Sequence, residues 1–147
     1  GLASCNIHLS SPSVAFDQPR RFLRLLVHNE RYRRQQWAVI EATAEAHGAL
    51  FLAGDVNTMA VEPHFRSIRR RWVDAWRATN PLDPGATYPH GTHGPPNKFA
   101  RPGTPFVRPD YVLLDPSVKP LSARTLAAGG SDHRPLVVTV ELPQGAP

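Results

Sequence analysis

The chain has 147 residues, 41% of them hydrophobic, enough for one compact core, so a single domain is the expectation. Fifteen arginines and two lysines give a formal net charge of +5, a surplus that suits nucleic acid, anionic lipid headgroups or phosphorylated substrates equally, or simply solvates helix surfaces. No run of eighteen apolar residues and no leader pattern is legible, so neither a membrane span nor a signal peptide is expected, and the lone Cys5 excludes an internal disulfide.

Residues 4–10 alternate, with Cys5, Ile7 and Leu9 to one side and Asn6 and His8 to the other, the pattern of a half-buried strand. Because that strand starts almost at the first residue, the sequence reads as a piece of a longer polypeptide. After a Pro-containing loop, residues 17–46 are expected to be helical. Phe22, Leu26, Trp37, Ile40 and Ala44 recur at helical spacing, and Gly48 stands where a C-cap belongs. The stretch 31–34 is either a solvated face or a break between two helices. Residues 49–53 form a short apolar strand ending at Gly54, which leaves Asp55 and Asn57 at its C-terminal edge. A second helix over 63–71 is followed by Trp72-Val73-Asp74-Ala75-Trp76 and a Pro- and Gly-rich loop over 79–109, a length of irregular chain that is often functional. Residues 111–114, 121–126 and 136–142 read as strands, and no internal repeat is present.

Asp55 and Asn57 stand two residues apart after Gly54, so a turn can aim both into one cleft. A carboxylate there accepts a proton from water, and an amide beside it donates to a phosphoryl oxygen. Taken alone, Gly-Asp-x-Asn is as readily a simple turn, since both side chains bond the local backbone. Asp132 and His133 follow Gly129, Gly130 and Ser131 at a strand entrance. A histidine so placed serves as general base or stabilises developing negative charge, and Asp110 at the head of another strand is its natural orienter. The plainer reading makes Asp132 a turn cap and His133 a surface histidine. His8 shares the polar side of the first strand with Asn6, where it can donate to a phosphate oxygen. His90 and His93 lack the helical spacing of a metal-binding pair, and His28, His47 and His64 have no chemical context.

The ordered set carries more than any member. Asn6-Ile7-His8-Leu9, Gly54-Asp55-Val56-Asn57, Asp74-Ala75-Trp76, Thr87-Tyr88-Pro89, Arg108-Pro109-Asp110-Tyr111 and Ser131-Asp132-His133 occur in that order over almost the whole chain. In this the sequence resembles the endonuclease/exonuclease/phosphatase family. The resemblance implies an α/β two-sheet sandwich flanked by helices, with a Mg²⁺- or Mn²⁺-dependent site at the strand ends. It implies His133 as general base or transition-state partner, Asp110 as its orienter and Asp132 as a metal ligand or a support of that pair. Asp55 would orient or deprotonate the attacking water, Asn57 would hold the phosphoryl group and His8 would contact a phosphate oxygen. Val56 replaces an aromatic and Pro109 an aliphatic residue of the family pattern, and neither touches chemistry.

The family's first half, which supplies an amide and the metal-binding glutamate, has no counterpart before Asn6. The chain therefore reads as the second half of the fold. A companion chain supplies the first half, the chain is a proteolytic or engineered fragment, or the half dimerises. The reaction implied is hydrolysis of a phosphate mono- or diester by activated water. Weak aromatic interleaving among the arginines favours a small or lipid-linked phosphate over nucleic acid. The rival reading is a catalytically incomplete half-domain that holds anions or nucleic acid through its arginines.

Overall fold

The computed structural model describes residues 2–11, 19–60, 62–89, 104–127 and 129–145. Strand β1 (Ser4–His8) leads through a 3-10 turn (Pro19–Arg21) into helix α1 (Phe22–Ala46). Strand β2 (Phe51–Asp55), helix α2 (Pro63–Arg71), strand β3 (Val73–Asp74) and helix α3 (Ala75–Thr79) follow. Strands β4 (Asp110–Leu114), β5 (Lys119–Thr125) and β6 (Leu136–Glu141) complete the described elements. A mixed four-stranded sheet has the order β1-β2-β4-β3, with β1 parallel to β2 and the other pairs antiparallel, and β5 and β6 form a second, two-stranded sheet. The expected α/β arrangement of two sheets and flanking helices is present.

The pleat sends alternate residues of the larger sheet to opposite sides. Ile7, Leu52, Tyr111 and Leu113 pack with Trp37, Ala44, Phe65, Ile68 and Trp72 from the helical side, and Phe65 and Tyr111 meet at a ring-centroid distance of 4.4 Å. On the opposite face Phe51, Val73, Val112 and Leu114 gather with Leu50, Ala75 and Val118, and Val138 and Val140 of β6 close over them. This second cluster joins the two sheets.

Several boundaries differ from the sequence reading, each for a physical reason. Gly54 does not end the strand. Its φ of +140° and missing side chain let β2 lie against β1, because a Cβ there would meet the Ile7 carbonyl oxygen at 1.9 Å, and pairing continues to Asp55. Helix α1 runs through 31–34 without a break, since Arg33 turns inward: it is 3% exposed, and its Nη2 lies 2.6 Å from Glu62 Oε2. The helix ends as expected at Gly48, whose φ of +59° carries the chain into the left-handed region while its N–H donates to the Glu45 carbonyl. In the segment 72–76, β3 pairs with β4 before Asp74 caps α3 by accepting from the Arg77 N–H at 3.3 Å. Cys5 is half-buried. Strand β4 already begins at Asp110 and β5 at Lys119. His90, His93 and Asp17 lie outside the described residues. No helix among the described residues is long and apolar enough to cross a membrane.

Candidate active site

Strand register builds the site. His8 of β1 stands opposite Asp55 of β2, and Asp55 stands opposite Asp110 of β4, so three polar residues form one row across the sheet. The row crowns the face that further along carries Ala53 and Val112, then Phe51 and Leu114. That face is therefore polar at the strand ends and apolar where β6 covers it.

His133 completes the row from the loop before β6. Its Nδ1 lies 2.8 Å from Asp110 Oδ2, and the Thr87 hydroxyl donates to that same oxygen at 2.6 Å. Thr87 is wholly buried, and its carbonyl accepts the Arg134 N–H at 2.9 Å, which ties the two loops together. The Ser131 hydroxyl accepts the His133 N–H at 3.1 Å in a local turn of the kind serine favours. Tyr88 lies against the imidazole with ring centroids 4.8 Å apart. The hydrogen bond that His133 donates to Asp110 chiefly raises the His133 pKa above its ordinary 6.5; burial opposes this, and the charges of Asp110, Asp55 and Asp132 add to it. His133, Asp110, Ser131, Arg134, Ala53 and Gly54 border a cleft of ≈ 320 Å³.

Asp55 Oδ1 accepts the backbone N–H of Asn57 at 2.8 Å, while Oδ2 lies 3.8 Å from His8 Nε2. Burial raises the Asp55 pKa above 3.8; the Asn57 N–H works against that, and the neighbouring Asp110 charge works with it. Asn57 adopts φ +49°, and its Nδ2 donates to the Leu9 carbonyl at 2.8 Å. One amide hydrogen is thereby committed to the fold, which leaves the second for a ligand. His8 is open to solvent, with 77% of its side chain exposed. Asp132 is half-buried beside His133, and its charge also raises the Tyr88 pKa after burial.

The structure thus brings together His133, Asp110, Asp55 and His8, and sets Asn57 and Asp132 at the edges of the same site. Thr87 and Tyr88 were visible in the sequence as a motif without a role. Their contacts with Asp110 and His133 accompany an isolated antiparallel bridge between Tyr88 and Val107.

Asp74 and Arg108, also motif residues, serve the frame rather than the cleft. Arg108 Nη1 and Nη2 grip the two Asp74 carboxylate oxygens at 2.8 and 2.6 Å, the guanidinium lies 4.3 Å over the Tyr111 ring, and the Tyr111 hydroxyl donates to the Thr58 carbonyl at 3.1 Å. Burial drives the Tyr111 phenol pKa well up, so it remains a neutral donor. Whether these residues suit a divalent cation is a matter of donor convergence. Among the described residues no three His, Cys, Asp or Glu side chains converge to hold one.

A two-sheet α/β fold with an Asp–His pair at the strand ends defines a class, and the chain belongs to the endonuclease/exonuclease/phosphatase family, whose model matches residues 4–133. Several solved structures share the fold. A functionally unknown conserved protein from Enterococcus faecalis V583 is 17% identical, with a TM-score of 0.62 over 95% of this chain and 50% of its own. An endonuclease/exonuclease/phosphatase from Beutenbergia cavernae is 24% identical, with a TM-score of 0.57 over 92% of this chain and 34% of its own. A mannosyl-6-phosphatase from Bacteroides thetaiotaomicron is 17% identical, with a TM-score of 0.51 over 76% of this chain and 46% of its own. The chain spans half or less of the length of these relatives. No curated protein matches it.

Proposed function

We propose that this chain carries the proton-handling half of a hydrolase that cleaves a phosphate mono- or diester with activated water. Family membership supports a phosphoesterase-type function. The observation that carries the finer reading is the His133–Asp110 pair, joined to Asp55 and His8 along one row of the sheet. With its proton on Nδ1 facing Asp110, the His133 ring keeps Nε2 free to take a proton from water as the water oxygen bonds to phosphorus and the ester oxygen departs. Asp110 holds the tautomer. Asp55 positions the water, while His8 and the remaining Asn57 N–H serve the phosphoryl oxygens.

Mg²⁺ or Mn²⁺ dependence is the further expectation, with Asp132 as the ligand contributed here. The described residues do not by themselves make a cation site. In this reading the remaining donors come from the N-terminal half of the fold, carried by the rest of a longer polypeptide or by a companion chain, consistent with a span of half or less of the solved relatives. A small or lipid-linked phosphate is the favoured substrate.

The test is hydrolysis of a chromogenic phosphate monoester and diester with Mg²⁺, alongside His133→Ala and a chelator control. Turnover lost in both controls supports the reading. Salt-sensitive anion binding that survives His133→Ala, with no turnover, supports instead a catalytically incomplete anion- or nucleic-acid-binding half-domain.

A further inference from the structure

The cleft is lined by a cation that no carboxylate of the described chain satisfies. Arg134 lines it beside His133 and Ser131, and the bond from its backbone N–H to the Thr87 carbonyl fixes it in the junction that presents His133. Its Nε is buried without a hydrogen-bond partner, as is that of Arg33, so what sets Arg134 apart is its lack of a carboxylate partner. Among the described residues it joins no ion pair, although Asp55, Asp110 and Asp132 all act on the adjacent imidazole. The contrast with the fully buried arginines is direct. Arg33 has Glu62 at 2.6 Å and Arg108 has Asp74 at 2.6 Å. Arg134 is half-buried, with its Nε withdrawn from water, and a guanidinium so placed suits an anion, its planar fork matching two oxygens of a tetrahedral phosphate.

We propose that Arg134 is the anion anchor of this cleft, its guanidinium holding two non-bridging oxygens of the substrate phosphate on which His133 acts. The inference rests on the phosphoesterase reading and adds to it a binding residue separate from the proton-handling pair. The division of labour is chemical, since imidazole exchanges a proton near neutral pH whereas guanidinium stays charged and can only bind.

The test is NMR of the ¹⁵N-arginine-labelled chain during titration with inorganic phosphate, the Arg134 Nε–Hε signal being assigned by its loss in Arg134→Lys. A saturable shift of that signal is expected. Arg134→Gln should weaken phosphate binding at least tenfold, with Arg134→Lys intermediate, while His133→Ala retains the shift. Dimethyl phosphate run in parallel then names the ester class, since an anchor for a terminal phosphate responds to inorganic phosphate alone and an anchor that accepts a diester responds to both. If the His133 ring signals move while Arg134 stays silent and Arg134→Gln binds normally, the anchor is refuted and the phosphoesterase reading stands. If neither residue responds, both fall. The direct shift in the unaltered chain decides the matter even where a variant folds poorly.

Discussion

His133 Nδ1 lies 2.8 Å from Asp110 Oδ2, and this contact sets the titration of the site. The bonded carboxylate holds the His133 pKa above 6.5, so in that window the folded chain keeps a proton that the unfolded chain releases. The resulting stability is fully present below pH 6.5 and is lost as pH rises through the folded value. A proton NMR titration of the ring should show the raised value in the parent chain and a lower one in Asp110→Asn. A ring that titrates at or below 6.5 in the parent chain would sink the prediction.

Phosphate-ester turnover, measured with the companion half present if the chain alone is silent, should fall about 10²–10⁴-fold in His133→Ala, the range for loss of a positioned acid–base group. Because the base must be unprotonated, the acidic limb of the pH–rate profile should follow the raised His133 pKa and move to lower pH in Asp110→Asn. Thr87→Val removes the second donor on Oδ2, so turnover should drop by roughly tenfold, as expected for losing one hydrogen bond to a charged group. An unchanged pH profile in Asp110→Asn would separate that carboxylate from the chemistry.

How much of this was legible in the sequence differs from residue to residue. The alternation around Ile7 and the apolar run before Gly54 gave the strands, because pleat period and burial act locally. Asp55, Asp110 and His133 stood out through the ordered set of motifs they belong to, since short polar groups at strand ends taken singly serve turns as readily as sites. Their single row across the sheet did not, since register between β1, β2 and β4 is a long-range property. Thr87 and Arg134 were missed as site residues for the same reason: the bond between their backbones joins segments 47 positions apart in sequence, and nothing near either residue announces it. The segment 31–34 was ambiguous because the partner of Arg33, Glu62, lies 29 residues away.

Gly54→Ala should be severely destabilising. Its Cβ would meet the Ile7 backbone oxygen at 1.9 Å, and the φ of +140° is one that side chains rarely adopt. Backbone on both sides cannot swing away as a side-chain tip can, so β1 and β2 must separate at the point where they carry His8 and Asp55. A loss of more than about 3 kcal/mol is expected in urea unfolding, in the upper range for point substitutions. Gly48→Ala, with nothing within 4 Å of its Cβ, is the control and should cost only about 1 kcal/mol for its positive φ.

The Arg108–Asp74 pair tests whether motif residues outside the cleft serve the frame. Both partners are buried, with side chains 7% and 3% exposed, so removing either one strands a charge away from water. Arg108→Met should therefore cost about 3–5 kcal/mol, the usual penalty for breaking a buried pair from one side. Asp74→Asn keeps an oxygen to cap α3 and should lose less than Asp74→Ala, by about 0.5–2 kcal/mol, the worth of an N-cap. The double variant Arg108→Met with Asp74→Leu leaves no orphan charge and should recover part of the loss, so the two effects should not add. Urea midpoints with unchanged slopes measure all four variants. If Arg108→Met instead unfolds at the parent midpoint and only phosphate binding suffers, Arg108 belongs to the cleft and not to the frame.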